Sequence, residues 1–269
     1  MRKKLVALSM AVLMLAVAVV GGTLAYFTDK TEVANNTFTA GGVEIGLIEQ
    51  ERDGNGGLKI FTQNKVLMPI VGSAQGEKDK LGLPVAANYV DKVVTVTNTG
   101  SSDAYVRAYF AIPSALDDGY DKFNAGANIL HFNFGNKVVD GSVYTTYGEE
   151  WSWMHGDNNN KWNYFETTID GVAYNVYFAD YTKVLAAKAT TERFVNGVYL
   201  DSHVDMNAQG NYIDTRSPEA DLSILKGTVT CPVMAVAVQA AGFTSADEAV
   251  TAAFGAQFNP FGGEATNWQ

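Results

Sequence analysis

One cysteine, Cys231, stands in 269 residues, so no disulfide can form within the chain and stability has to come from burial and hydrogen bonding. The three histidines, His131, His155 and His203, nearly empty the usual zinc-ligand inventory. No His-x-x-x-His pair with an adjacent glutamate is present to chelate zinc from one helix face and activate water, which disfavours a metallopeptidase. No Gly-x-Ser-x-Gly stretch marks a serine hydrolase, and Cys231 sits beside Pro232 in an apolar strand pattern, where a thiol is packing rather than a nucleophile. Basic residues are in deficit: 19 Lys+Arg against 29 Asp+Glu leave a net charge of -10, which excludes a surface built for a phosphate backbone and with it a nucleic-acid partner. Proline is scarce at 6, and no fixed-period repeat, low-complexity tract or heptad pattern interrupts the chain.

What is present is aromatic and glycine-rich: 13 Tyr, 14 Phe, 4 Trp and 26 Gly favour pleated, half-buried surfaces joined by tight turns. Met1-Arg2-Lys3-Lys4 is a positive head, followed by an apolar run from Leu5 to Val20 broken only by Ser9, the order of a secretory signal. Gly21-Gly22 breaks the helix, and Thr23-x-Ala25 puts small residues where a signal peptidase must fit, so cleavage is expected between Ala25 and Tyr26. An uncleaved anchor is the alternative, because Leu5 to Phe27 is long enough to cross a bilayer. Cleavage removes Arg2, Lys3 and Lys4, leaving 16 basic residues against 29 acidic ones in the mature chain.

Gly21-Gly22-Thr23-Leu24-Ala25-Tyr26-Phe27-Thr28-Asp29, followed by Asn36-Thr37-Phe38-Thr39-Ala40-Gly41, resembles the start of the TasA and camelysin family of secreted Gram-positive proteins. Val94-Thr95-Val96-Thr97-Asn98-Thr99-Gly100 with Ala104-Tyr105-Val106-Arg107 is similar to the strand, turn and strand that follow in that family. The resemblance spans roughly the first 110 residues. It implies processing by a signal peptidase of the SipW type and assembly into extracellular fibres by donated N-terminal strands. Camelysin-like relatives are also described as metallopeptidases, a reading the missing ligands disfavour here.

Alternation places a strand at Val43, Ile45 and Leu47, and Asp53-Gly54-Asn55-Gly56-Gly57 reads as a turn rather than a calcium loop. Residues 65–88 read as an irregular excursion. Tyr89 to Asn98 and Ala104 to Ile112 are expected to form a hairpin-like pair about Thr99-Gly100-Ser101-Ser102, with a helical turn at 113–118. Asn128 to Phe134 alternates with Leu130, Phe132 and Phe134 inward. Tyr164 to Ile169 and Val172 to Phe178 flank Asp170-Gly171, a two-residue type I′ hairpin. Thr228 to Ala240 is apolar at both parities from Val233 to Val238, which predicts a central strand covered on two sides. Ser245-Ala246-Asp247-Glu248 opens a helix through a capping box, ending near Gly255.

These elements predict an all-β fold: an antiparallel β-sandwich of jelly-roll type with one or two short helices, residues 26–269 forming a single domain after a signal helix at 1–25. Three site hypotheses follow. Tyr26, Phe27, Thr28, Asp29 and Phe38 are candidate donor-strand residues, free after cleavage to complete the open sheet of a neighbouring copy or to fold back as the first strand of their own. Trp151, Trp153 and Trp162, near Asp157-Asn158-Asn159-Asn160, are candidate glycan contacts or else packed core. His155 with Asp157, and His203 with Asp205, offer two metal ligands each; a histidine bonded to a carboxylate is the commoner arrangement. The expectation is a secreted structural subunit of biofilm-matrix fibres that needs no cofactor. Its partners are further copies of itself, the SipW-type peptidase, and matrix proteins or glycans; an adhesin or carbohydrate-binding module is the alternative.

Overall fold

The computed structural model describes residues 42–117, 128–133, 150–155 and 161–268. Along these the strands are β1 (Ile45–Arg52), β2 (Leu58–Ile60), β3 (Val90–Asn98), β4 (Ala104–Pro113), β5 (Leu130–Phe132), β6 (Trp151–Ser152), β7 (Met154–His155) and β8 (Lys161–Trp162). They continue with β9 (Tyr164–Ile169), β10 (Val172–Tyr181), β11 (Val195–Leu200), β12 (Val204–Met206), β13 (Tyr212–Asp214) and β14 (Val233–Gln239), then helix α1 (Ala246–Phe254) and β15 (Ala265–Thr266). One sheet runs β2-β1-β3-β11-β5 and the other β14-β4-β10-β9-β15, with β6 added to β10; the named pairings within both are antiparallel. The protein is an all-β antiparallel sandwich, and the chain crosses repeatedly from one sheet to the other, as in a jelly roll.

β1 alternates strictly between buried and half-buried residues, sending Ile45 and Leu47 into the core in phase with Val43 just before it, as the period-2 pattern requires. They meet Val94 and Val96 of β3 and, from the facing sheet, Val106, Ala108, Phe110, Tyr177 and Ala237. All ten residues of β4 are buried because it is covered on both faces. Its even-numbered residues fill the space between the sheets. Tyr105, Tyr109 and Ala111 point outward, under α1 and the segment that follows it.

The Asp170-Gly171 hairpin forms as predicted, with φ of 50° and 81°, both in the left-handed region that a type I′ turn demands. The 53–57 turn is held by Asp53 Oδ1, which accepts the Asn55 and Gly57 N–H groups at 2.7 and 2.9 Å. Residues 114–116 make one 3-10 turn, and 61–89 is irregular apart from isolated bridges. In β5, Leu130 and Phe132 face the core; Phe134 lies outside the described residues. At α1, Ser245 Oγ accepts the Glu248 N–H at 3.1 Å, while the Glu248 carboxylate reaches back to the N–H and hydroxyl of Thr244.

Two expectations are corrected. β3 and β4 do not pair: they lie in opposite sheets, joined by an arch over 99–103. Gly100 packs so closely there that a Cβ would come within 2.4 Å of the Gly42 carbonyl oxygen. Alternating residues around a turn are common to an arch and a hairpin, and only the lateral hydrogen bonds distinguish them. β14 is covered on two faces as expected, but among the described residues it pairs on one side only, with β4, and stands at the end of its sheet. Two-face coverage sets which side chains are apolar, whereas position within the sheet is decided by backbone groups that leave no trace in sequence.

Candidate functional site

Among the described residues β14 pairs with β4 alone. Pro232 carbonyl accepts Ala111 N–H at 2.9 Å at one end of the ladder, and Ala240 N–H donates to Asp103 carbonyl at 2.9 Å at the other. With the continuous register Val233↔Phe110 to Gln239↔Ala104, this phase directs the N–H and C=O groups of Val233, Ala235, Ala237 and Gln239 away from β4. Sheet edges are ordinarily blunted by lysine, proline, a bulge or an inward charge. VMAVAVQ carries none of these over its seven residues. The row is uncharged, and among the described residues no strand pairs with it, although Val233, Ala235 and Ala237 are buried, at 5%, 0% and 3% exposed.

Gly42, the first described residue, lies at the same end of the sandwich. Its carbonyl accepts Ser101 N–H at 3.0 Å, so Gly42 and Ala240 are both tied to the 99–103 arch. Ala25, Tyr26, Phe27, Thr28, Asp29 and Phe38 lie outside the described residues, but the chain that carries them joins the fold beside the end of β14. The edge was not legible in the sequence; the clue was the absence of any charge between Val233 and Val238.

Of the two readings of the tryptophans, the structure shows packed core. Trp151, Trp153 and Trp162 are 3%, 6% and 4% exposed and belong to the main core. Trp153 stacks on Phe194 at 4.5 Å and 9°, Trp151 packs against Tyr181 and Phe194, and Trp162 meets Tyr177 edge-on. Their faces are taken by other rings, so none is left for a sugar; aromatic density in the sequence reports the burial of a broad sandwich. Cys231 packs against the same core, and burial pushes its thiol up to about 12, so it stays protonated and inert.

His203 does not join Asp205. Its Nδ1 bonds Asp201 Oδ1 at 2.7 Å, and His131 Nε2 bonds Asp201 Oδ2 at 2.9 Å, while Asp205 accepts the Met206 N–H. Asp157 is outside the described residues. Burial alone would raise the Asp201 carboxyl, but His131 and the ring and backbone of His203 hold it well below the usual carboxylate range. Arg216 stands 3.7 Å away, and the His131 ring stacks on Tyr199. The two imidazoles address opposite oxygens of one carboxylate instead of converging on a common point. Among the described residues, no group of three or more His, Cys, Asp or Glu is placed to hold a metal ion.

No helix among the described residues is long and apolar enough to cross a membrane. Neither a curated protein nor a solved structure matches the chain. The likeness read from the junction at 21–29 and the Phe38-Thr39-Ala40-Gly41 stretch has a counterpart in a family model: residues 1–51 match the family described as camelysin metallo-endopeptidase.

Proposed function

We propose that the chain is an exported structural subunit of extracellular, biofilm-matrix fibres, in which the segment beginning at Tyr26 adds as a strand to the open sheet of the next copy. The observation that supports this reading is the outer side of β14: four residues direct backbone donors and acceptors away from β4, no charge or proline deters pairing there, and Val233, Ala235 and Ala237 are buried although no described strand pairs with them. Residues 26–41 have, at about 3.3 Å per extended residue, a reach of about 50 Å, well beyond the length of β14. A strand passed from each copy to the next is a heterologous contact and generates filaments rather than closed rings. Export, cleavage after Ala25 by a SipW-type peptidase and a surface location belong to the same proposal. They are supported by the charge-then-apolar order of residues 1–20 and by the family match over 1–51.

Electron microscopy of the purified chain beginning at Tyr26 tests it. Filaments are expected, and they should vanish when Tyr26 to Thr31 are deleted; a strictly monomeric mature protein over a wide range of concentration would overturn the reading. A second reading, a camelysin-like metallo-endopeptidase, is favoured by the family's description alone. The described residues do not fit a metal centre of the kind that description implies. Chelator-sensitive hydrolysis of a protein substrate by the same preparation would establish the second reading in place of the first.

A further inference from the structure

A second apolar cluster, independent of the fibre proposal, lies on the outer face of the β14-β4-β10-β9-β15 sheet. There Tyr109, Phe165, Val176 and Phe178 form an apolar floor separate from the main core. The floor is closed by a strap of the chain itself. Pro260 and Phe261 are buried and fix its near end, whereas Gly262, Gly263, Glu264, Thr266 and Asn267 are exposed. Ala265 and Thr266 form the two-residue strand β15 against Thr167 and Glu166 of β9. Beyond it Trp268 stacks on Phe165 at 4.2 Å and meets Phe178 edge-on at 6.1 Å. Polar groups read the strap's backbone and side chains: Thr167 Oγ1 donates to the Glu264 carbonyl at 2.8 Å, and Asn267 Nδ2 donates to Glu166 Oε2 at 2.8 Å.

The arrangement has the parts that strand addition uses, a short ladder that sets register and one aromatic ring seated between others. Three features make the closure exchangeable. The ladder is two residues long. The strap hangs on Gly262-Gly263, with φ of 77° and 76°, a conformation glycine leaves without steric cost. The indole Nε1 of Trp268 is buried with no hydrogen-bond partner among the described residues, so the seated strap leaves a donor unsatisfied. Because the strap packs on a cluster separate from the one between the sheets, its release opens no part of that main core.

The geometry points to the β9 edge and its Phe165–Phe178 cleft as a receptor for an extended, tryptophan-bearing segment, filled within one chain by residues 264–268 and, where copies meet, by residues 264–268 of a second copy. The occupant's chemistry is given by the segment already seated there, and exchange of an identical element replaces each contact by its equal. Intramolecular seating is favoured by its high effective concentration, so exchange grows with protein concentration.

The test uses the full mature chain with Trp268 replaced by the photoreactive amino acid p-benzoylphenylalanine, prepared in light and uniformly 15N-labelled form and irradiated as an equal mixture. Cross-links from position 268 to peptides containing Phe165 or Phe178 are expected. The share joining a light to a heavy chain should rise with concentration and fall when excess synthetic peptide of residues 263–269 is added. Cross-links confined to like-labelled chains at every concentration would overturn the inference, as would mixed cross-links that miss 164–181 or that the peptide leaves unchanged. A parallel measurement on the full-length Trp268→Ala protein keeps the result independent of the photoreactive group. By fluorescence anisotropy it should bind the labelled 263–269 peptide at least tenfold more tightly than the unaltered protein, whose cleft is occupied. Equal affinity for the two proteins, or no saturable binding to either, counts against the inference.

Discussion

The guanidinium of Arg107 is 4% exposed, held by both carboxylate oxygens of Asp180 at 2.6 and 2.8 Å, by Asp247 of α1 at 2.7 Å, and against the ring of Phe178. Asp180→Ala strands a buried cation and should cost about 3–5 kcal/mol in a denaturant titration. Asp247→Ala, which removes a mostly exposed partner, should cost less than about 1 kcal/mol. Trp153→Ala should lower stability by about 3–5 kcal/mol, because Phe194, Phe132 and Trp162 lose the ring they pack on. Asp201 sets a pH dependence. Its folded carboxyl titrates below its ordinary value of 3.8, so its stabilisation is complete above that pH and is lost as the pH falls further. The acid limb of a stability–pH curve should therefore flatten in Asp201→Asn. At this scale alternation made Val43, Ile45 and Leu47 legible, since a strand with one buried face has no other arrangement. The tryptophans were not, because a ring awaiting a sugar and a ring stacked on Phe194 have the same neighbours in sequence. Asp201 was missed because its partners are 70 residues upstream and 2 downstream, and no local pattern joins them.

At the scale of elements, the turn chemistry of Asp170-Gly171 and the capping residues of α1 identified their structures, since each works through backbone geometry within a few residues. The arch at 99–103 and the edge position of β14 depend on strands distant in sequence, which is why they were not legible. Ser245→Ala should destabilise the protein by about 1 kcal/mol through loss of the helix cap, with faster hydrogen exchange confined to the first turn of α1.

For the molecule as a whole, the net charge of -10, which loss of Arg2, Lys3 and Lys4 would make more negative, sets copies to repel one another. Assembly should accordingly quicken as salt rises from about 10 mM to about 150 mM, where the Debye length shrinks from about 30 Å to about 8 Å. A light-scattering lag time checks this, and a lag indifferent to salt would exclude charge as the barrier. The arch at 99–103 bears on how such a polymer would carry tension. Gly42 and Ala240 are hydrogen-bonded to opposite parts of that short connection, so a pull arriving through the leading segment of one copy and leaving along its β14 would be handed across a few backbone bonds at one corner of the sandwich. The aromatic interior would be spared the load, and a thread of these units could stretch at its joints while each body stayed intact.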